Sequence, residues 1–191
     1  MKKFKGFIFD MDGTLVESSL DFQKIRQDIQ CPPEKDVLDF VEEFDEQERA
    51  RLEAIIFNHE WQDAQAAKWL GRAADFVNHL KNNAIPMAIV TRNQADATKK
   101  KLSNNQVPIE LVLTRDDAKA KPAPDALLII AEKWQIAPEE LIYIGDYVHD
   151  VRAANAANMT SCLLLDGDTT PEYVDEADIV VRCLTELIEY S

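Results

Sequence analysis

Residues 7–18 read FIFDMDGTLVES, an apolar run that ends in two acidic residues separated by a single methionine. Phe7, Ile8 and Phe9 are strand-favouring side chains and Gly13 is a turn residue, so FKGFIF (4–9) reads as a buried strand that stops at Asp10. Two carboxylates as close as Asp10 and Asp12 repel each other, and a divalent cation would resolve that repulsion.

Working outward, five more short apolar runs follow: PMAIV (86–90), IELVL (109–113), LIYIG (141–145), TSCLLL (160–165) and DIVV (178–181). Segments of helical period lie between them at about 73–83, 94–104, 124–134 and 147–157. This alternation predicts an α/β fold whose parallel sheet is covered by helices on both faces. The rhythm breaks between Glu17 and about Gly71, where the sequence is charged and helical, with no strand-like run. No glycine falls between Gly13 and Gly71, and CPPEKD (31–36) is the strongest breaker there. A small all-helical insertion is expected: one helix over 20–30, a turn at Cys31 to Pro33, then one or two more. The domain boundaries that follow are 1–16 plus 72–191 for the sheet domain and 17–71 for the helical one.

The 191 residues include 35 acidic and 21 basic side chains, a net charge of −14 that repels nucleic acid and anionic membranes. Cys31, Cys162 and Cys183 are odd in number and far apart, which fits reduced, packing thiols in the cytoplasm. The N-terminal MKKFKGFIFD begins like an export signal, but Asp10 and Asp12 cut its apolar run short, so neither export nor anchoring is expected.

Asp10 falls at the C-terminal end of the first strand, where open parallel sheets place their ligands. Thr91 ends the second strand (AIVTRN), Asp146 ends the fourth (IYIGDYVHD), and Lys121 lies in the loop AKAKPAPD. Taken in order, DMDGT, VTRN, KPAPD and GDYVHD resemble the four signatures of the haloacid dehalogenase-like hydrolases. The resemblance covers about 1–18 and 73–165, and the place of the insertion is similar to the helical cap of the phosphoglycolate-phosphatase and β-phosphoglucomutase branch. It implies a Rossmann-like core, with Asp10 as nucleophile, Asp12 as acid and base, Thr91 and Lys121 meeting the phosphate, and Asp146 and Asp150 at the metal. Asn158 replaces a glycine common among relatives, and a left-handed turn survives that change. Tyr147 stands where many relatives carry a small hydroxyl residue, which would narrow the pocket.

Each role has its own physical reason. Magnesium takes oxygen ligands, so Asp10, Asp146 and the main-chain carbonyl of Asp12 suit it, with Asp150 behind them. A carboxylate nucleophile splits phosphate-ester hydrolysis into two displacements, and Asp12 can give a proton in the first and take one in the second. The Thr91 hydroxyl, the Lys121 ammonium and the amides of Gly13 and Arg92 are the expected donors to the phosphoryl oxygens. On the first inserted helix, Phe22, Ile25 and Ile29 share an inward face, with Lys24 in water and Arg26 at the edge. Arg26, with Arg92 and Arg115, is expected to hold a second anionic group of the substrate. His59, His79 and His149 read as surface residues, and Trp61, Trp69 and Trp134 as packing ones.

The expected activity is magnesium-dependent hydrolysis of a small-molecule phosphate ester. A phosphomutase, whose core would look the same, and a silent phosphate- or protein-binding module are the alternatives. Asp12 disfavours carbon–halogen cleavage, since dehalogenating relatives lack an acid there. Phosphonate cleavage would need an insertion lysine in an apolar pocket, and none is evident around Lys24, Lys35 or Lys68.

Overall fold

The structure, a computed structural model, describes residues 2–167 and 169–191. Its strands are β1 (Gly6–Phe9), β2 (Met87–Val90), β3 (Leu111–Leu113), β4 (Leu141–Gly145), β5 (Thr160–Leu164) and β6 (Ile179–Val181). They form one parallel sheet in the order β3-β2-β1-β4-β5-β6. Every strand predicted from the apolar runs is present, each trimmed by no more than two residues at its start and one at its end.

Because side chains alternate across a strand, β1 feeds two cores. Phe7 and Phe9 point to one face, where Phe76 packs edge-on against both at 5.5 and 6.1 Å. Phe76, Val77 and Leu80 line the buried side of α4 (Ala73–Asn82). Ile8 points to the other face, among Ala88, Val90 and Tyr143 and beneath α6 (Asp125–Trp134) and α7 (Val148–Ala156). Burying each such side chain contributes about 1.5–3 kcal/mol, which makes the all-buried β1 the axis of the fold. After α7, Asn158 takes the left-handed conformation (φ 56°) and Met159 donates its amide to the Ala154 carbonyl at 3.0 Å, so the turn expected there forms without glycine.

Between β1 and α4 lie three helices, α1 (Phe22–Ile29), α2 (Val37–Glu42) and α3 (Glu46–Ala66). Asp21, Asp36 and Asp45 each accept a backbone N–H as the N-cap. Ile25, Ile29, Val37, Phe40, Val41, Leu52 and Ile56 bury one another in an apolar cluster separate from the sheet cores. Phe22 departs from the expected inward face, being 61% exposed. It opens α1 one turn before the packed residues and overhangs them. α3 leans on α5 (Ala95–Asn105), joining the helical layer to the sheet domain.

Candidate active site

Strand register brings the site together. Phe9 is level with Ile89 of β2 and Ile144 of β4, so Asp10 leaves the sheet beside Val90 and Gly145, with Thr91 and Asp146 one residue further on. The Asp10 amide donates to the Ile144 carbonyl at 2.8 Å, fixing its backbone to β4. Parallel strands all end on the same side, which is why residues so distant in sequence meet there.

Lys121 lies buried beneath these strand ends. Its ammonium donates to Asp10 Oδ1 at 2.6 Å, to Asp150 Oδ1 at 2.6 Å and to the Tyr143 hydroxyl at 2.8 Å. Burial alone would pull the lysine's pKa down, but the two carboxylates more than offset this and hold it above its ordinary value. Asp150 is fixed further, since its Oδ2 accepts from the Tyr147 amide at 3.1 Å.

Asp10, Asp146 and Asp150 each offer a carboxylate oxygen within 4.8 Å of the others. Burial, then the neighbouring carboxylates, pushes Asp146 up to about 8. Burial likewise raises Asp10 to about 7 despite Lys121. The cluster is short of positive charge, and its donors are all hard oxygens. A divalent cation such as magnesium fits that set. Two glycines leave room for it: a Cβ on Gly13, whose φ is +71°, would collide with the Asp146 carboxylate, and one on Gly145 would collide with Asp150.

Asp12 belongs to a different electrostatic neighbourhood. One of its oxygens accepts from the ammonium of Lys101 and the other from Asn93 Nδ2 at 2.6 Å. Burial raises its pKa, opposed by the lysine. Lys101 is wholly buried on α5 and also donates to Asp63 of α3 at 2.5 Å. Lys101, Asn93, Asp63, Tyr143 and Gly145 were all missed by the sequence reading. A signal existed for Lys101, since Ala97, Thr98 and Lys101 share one helical face, but the run KKK (99–101) reads as solvated.

The remaining expected residues fall into place or move. Thr91 is buried, and its hydroxyl accepts from the Asn93 amide at 3.2 Å. The Gly13 amide donates to the Val16 carbonyl at 2.9 Å, so it is spent on its own turn and is not an available phosphate donor. Arg26 is corrected more strongly: its Nη1 donates to the Pro32 carbonyl at 3.0 Å and to the Lys35 carbonyl, bracing the 31–35 turn. Among the described residues, no contact joins Arg26 to the carboxylates. Arg115 donates to Glu60 of α3 and to the Arg92 carbonyl at 2.9 Å. Arg92 donates through Nη2 to Asp36 at 2.5 Å and meets His149 Nδ1 at 2.6 Å through Nη1.

Among the described residues, both arginines are therefore already paired with helical-layer carboxylates, so none of the three arginines expected to meet a second substrate anion is left unpartnered. His149, expected in solvent, is half-buried, and burial together with Arg92 holds its pKa below the ordinary value. Tyr147 is 53% exposed, its ring 5.1 Å from His149 and 6.0 Å from Tyr173. All three cysteines are free thiols.

Comparison with known proteins agrees with this geometry. Residues 7–164 match the family model described as haloacid dehalogenase-like hydrolase. An uncharacterized hydrolase of Saccharomyces cerevisiae is 31% identical over 99% of this chain and 91% of its own length. A phosphoglycolate phosphatase of Shigella boydii is 23% identical over 98% of this chain and 94% of its own. Among solved structures, a hydrolase from Pseudomonas syringae superposes with a TM-score of 0.78 at 21% identity, covering 98% of this chain and 97% of that one. With a family model spanning most of its length and the four signatures gathered at one end of the sheet, this chain belongs to the haloacid dehalogenase-like hydrolases.

Proposed function

We propose that the protein is a magnesium-dependent phosphomonoesterase that works through a phosphoryl group carried on Asp10. The observation that carries this reading is the separation of the two neighbouring carboxylates, Asp10 tied to Lys121 and Asp12 to Lys101. Two buried carboxylates in different surroundings suit two different tasks. Asp10 Oδ1 is taken by Lys121, so Oδ2 is the oxygen that attacks phosphorus. As that bond forms, the ester P–O bond breaks, its electron pair stays on the leaving oxygen, and the Asp12 carboxyl supplies the proton.

Water then attacks the phosphoryl group and gives its proton to the Asp12 carboxylate, and the Asp10–phosphorus bond breaks to release inorganic phosphate. The Thr91 hydroxyl and the Arg92 amide are the donors for the equatorial oxygens, while Lys121, whose N–H groups go to Asp10, Asp150 and Tyr143, holds Asp10 in place and adds positive charge beneath the phosphoryl group. Magnesium would be held by Asp10 and Asp146, with the Asp12 carbonyl in reach and Asp150 behind, and it supplies positive charge against the phosphate.

Residues 17–71 serve in this reading as a cap over a core made of 1–16 and 72–191. The cap closes the site toward a small phosphorylated metabolite, the class to which the substrate named for the Shigella boydii relative belongs. Free thiols in the chain fit work in the cytoplasm.

The test is inorganic phosphate release across a panel of metabolite monophosphates, with magnesium and with EDTA. Magnesium-dependent release from at least one ester, abolished by EDTA, is expected. Full activity in EDTA would overturn the metal-dependent scheme, and sugar-phosphate interconversion with little release would replace hydrolysis by a mutase.

A further inference from the structure

We propose that Lys101 is a positioning residue that aims the Asp12 carboxylate, and that Asp63 of the cap sets Lys101 for this task. The proposal rests on the reading of Asp12 as the proton-transfer group. A lysine with no exposed side-chain surface is rare, because its ammonium normally stays in water and its stem alone packs. An apolar residue would suit the second turn of α5 better, unless the charge has work there.

Among the described residues the charge has two partners, Asp12 from the site loop and Asp63 from α3. Asp12 is gripped at both oxygens by donors from one stretch of chain, Asn93 at its start and Lys101 eight residues on. A carboxylate held at both ends cannot turn freely, so its direction follows the position of those donors.

Asp63 is fixed in turn by the cap linker. It accepts from Ser18 Oγ at 2.9 Å, from the Ser19 amide at 2.6 Å and from Ser19 Oγ at 2.8 Å. The line from linker to Asp63 to Lys101 to Asp12 is thus continuous, exposed at the two serines and buried at Asp63 and Lys101. Among the described residues, Lys101 makes no ion pair with Asp10, Asp146 or Asp150. Its effect on the reaction must therefore pass through Asp12, whereas the pairs Arg92–Asp36 and Arg115–Glu60 join cap to core without touching that carboxylate.

The experiment compares kcat/KM for p-nitrophenyl phosphate and for an alkyl phosphate in the wild type, Lys101→Met and Asp63→Asn, alongside inhibition by inorganic phosphate. The ratio of the two substrates within one enzyme does not depend on how much of it is folded. Because a good leaving group needs little protonation, Lys101→Met should lose about tenfold more on the alkyl ester than on the aryl one. The inhibition constant for phosphate should stay unchanged. Asp63→Asn should shift the ratio the same way by less.

Equal losses on both esters, or a phosphate inhibition constant that rises in parallel with the loss, would overturn the proposal. If Lys101→Met does not fold, Asp63→Asn decides, and an unchanged ratio there overturns it. A wild type that turns over neither ester with magnesium would instead refute the phosphatase reading itself, and the proposal with it.

Discussion

At the residue scale, Asp10 and Asp12 are kept from opposing one another by two lysines that arrive from different elements. Lys121 comes from the loop before α6 and Lys101 from α5, and each meets one of the two carboxylates. Exchanging Asp10 for Asn should abolish turnover while leaving the melting temperature close to that of the wild type, since amide and carboxylate have the same shape. Activity within about tenfold of wild type would exclude it as nucleophile. Gly145→Ala should be costly for a different reason, because the new methyl meets the Asp150 side chain. A loss of about 1–3 kcal/mol in denaturant unfolding is expected, with weaker magnesium activation. Asp10, Thr91 and Asp146 were legible in the sequence because strand ends announce themselves through apolar runs, and Lys121 through the KPAPD signature of its loop. Lys101 was not, since only the packing of α3 turns one lysine of three into a buried group, and Arg26 misled because the turn six to nine residues further on claims its guanidinium through the Pro32 and Lys35 carbonyls, main-chain groups that carry no sequence signal.

At the scale of elements, the helical layer α1–α3, the cap of the proposed reading, meets the sheet domain through a polar seam. Three acidic residues on its side, Asp36, Glu60 and Asp63, meet three cations, Arg92, Arg115 and Lys101. The layer has its own apolar cluster, in which Leu52 and Ile56 are buried. Leu52→Ala should therefore cost about 2–5 kcal/mol locally. Hydrogen exchange should show α1 to α3 losing protection while β1 and β4 keep theirs, and equal loss in the sheet would mean that the cap is not an independent unit. The existence of this layer could be read from the missing strands between Glu17 and Gly71. Its seating could not, because which carboxylate finds which cation is decided by the three-dimensional approach of α3 to α5.

At the scale of the whole molecule, a chain of charge −14 concentrates buried acid at one end of its sheet. Asp10 and Asp146 are raised from 3.8 to about 7 and about 8, so between those limits the folded protein holds protons that the unfolded chain has lost. Their contribution to stability therefore falls as pH rises through that window. In the proposed reading magnesium would bind the ionised carboxylates and offset the loss. The rise in melting temperature on adding magnesium should accordingly be larger near about pH 8 than near about pH 5, and a pH-independent rise would contradict the assignment of the metal to this cluster. Among the described residues no helix is long and apolar enough to cross a membrane.

The central claim, that a phosphoryl group passes through Asp10, is tested most directly by rapid acid quench of the enzyme with its best phosphate ester, followed by peptide mass spectrometry. The account predicts one added phosphoryl group on the peptide containing Asp10, labile to hydroxylamine and absent when magnesium is removed. Phosphate release with no phosphorylated peptide, or with the phosphoryl group on another side chain, would contradict it.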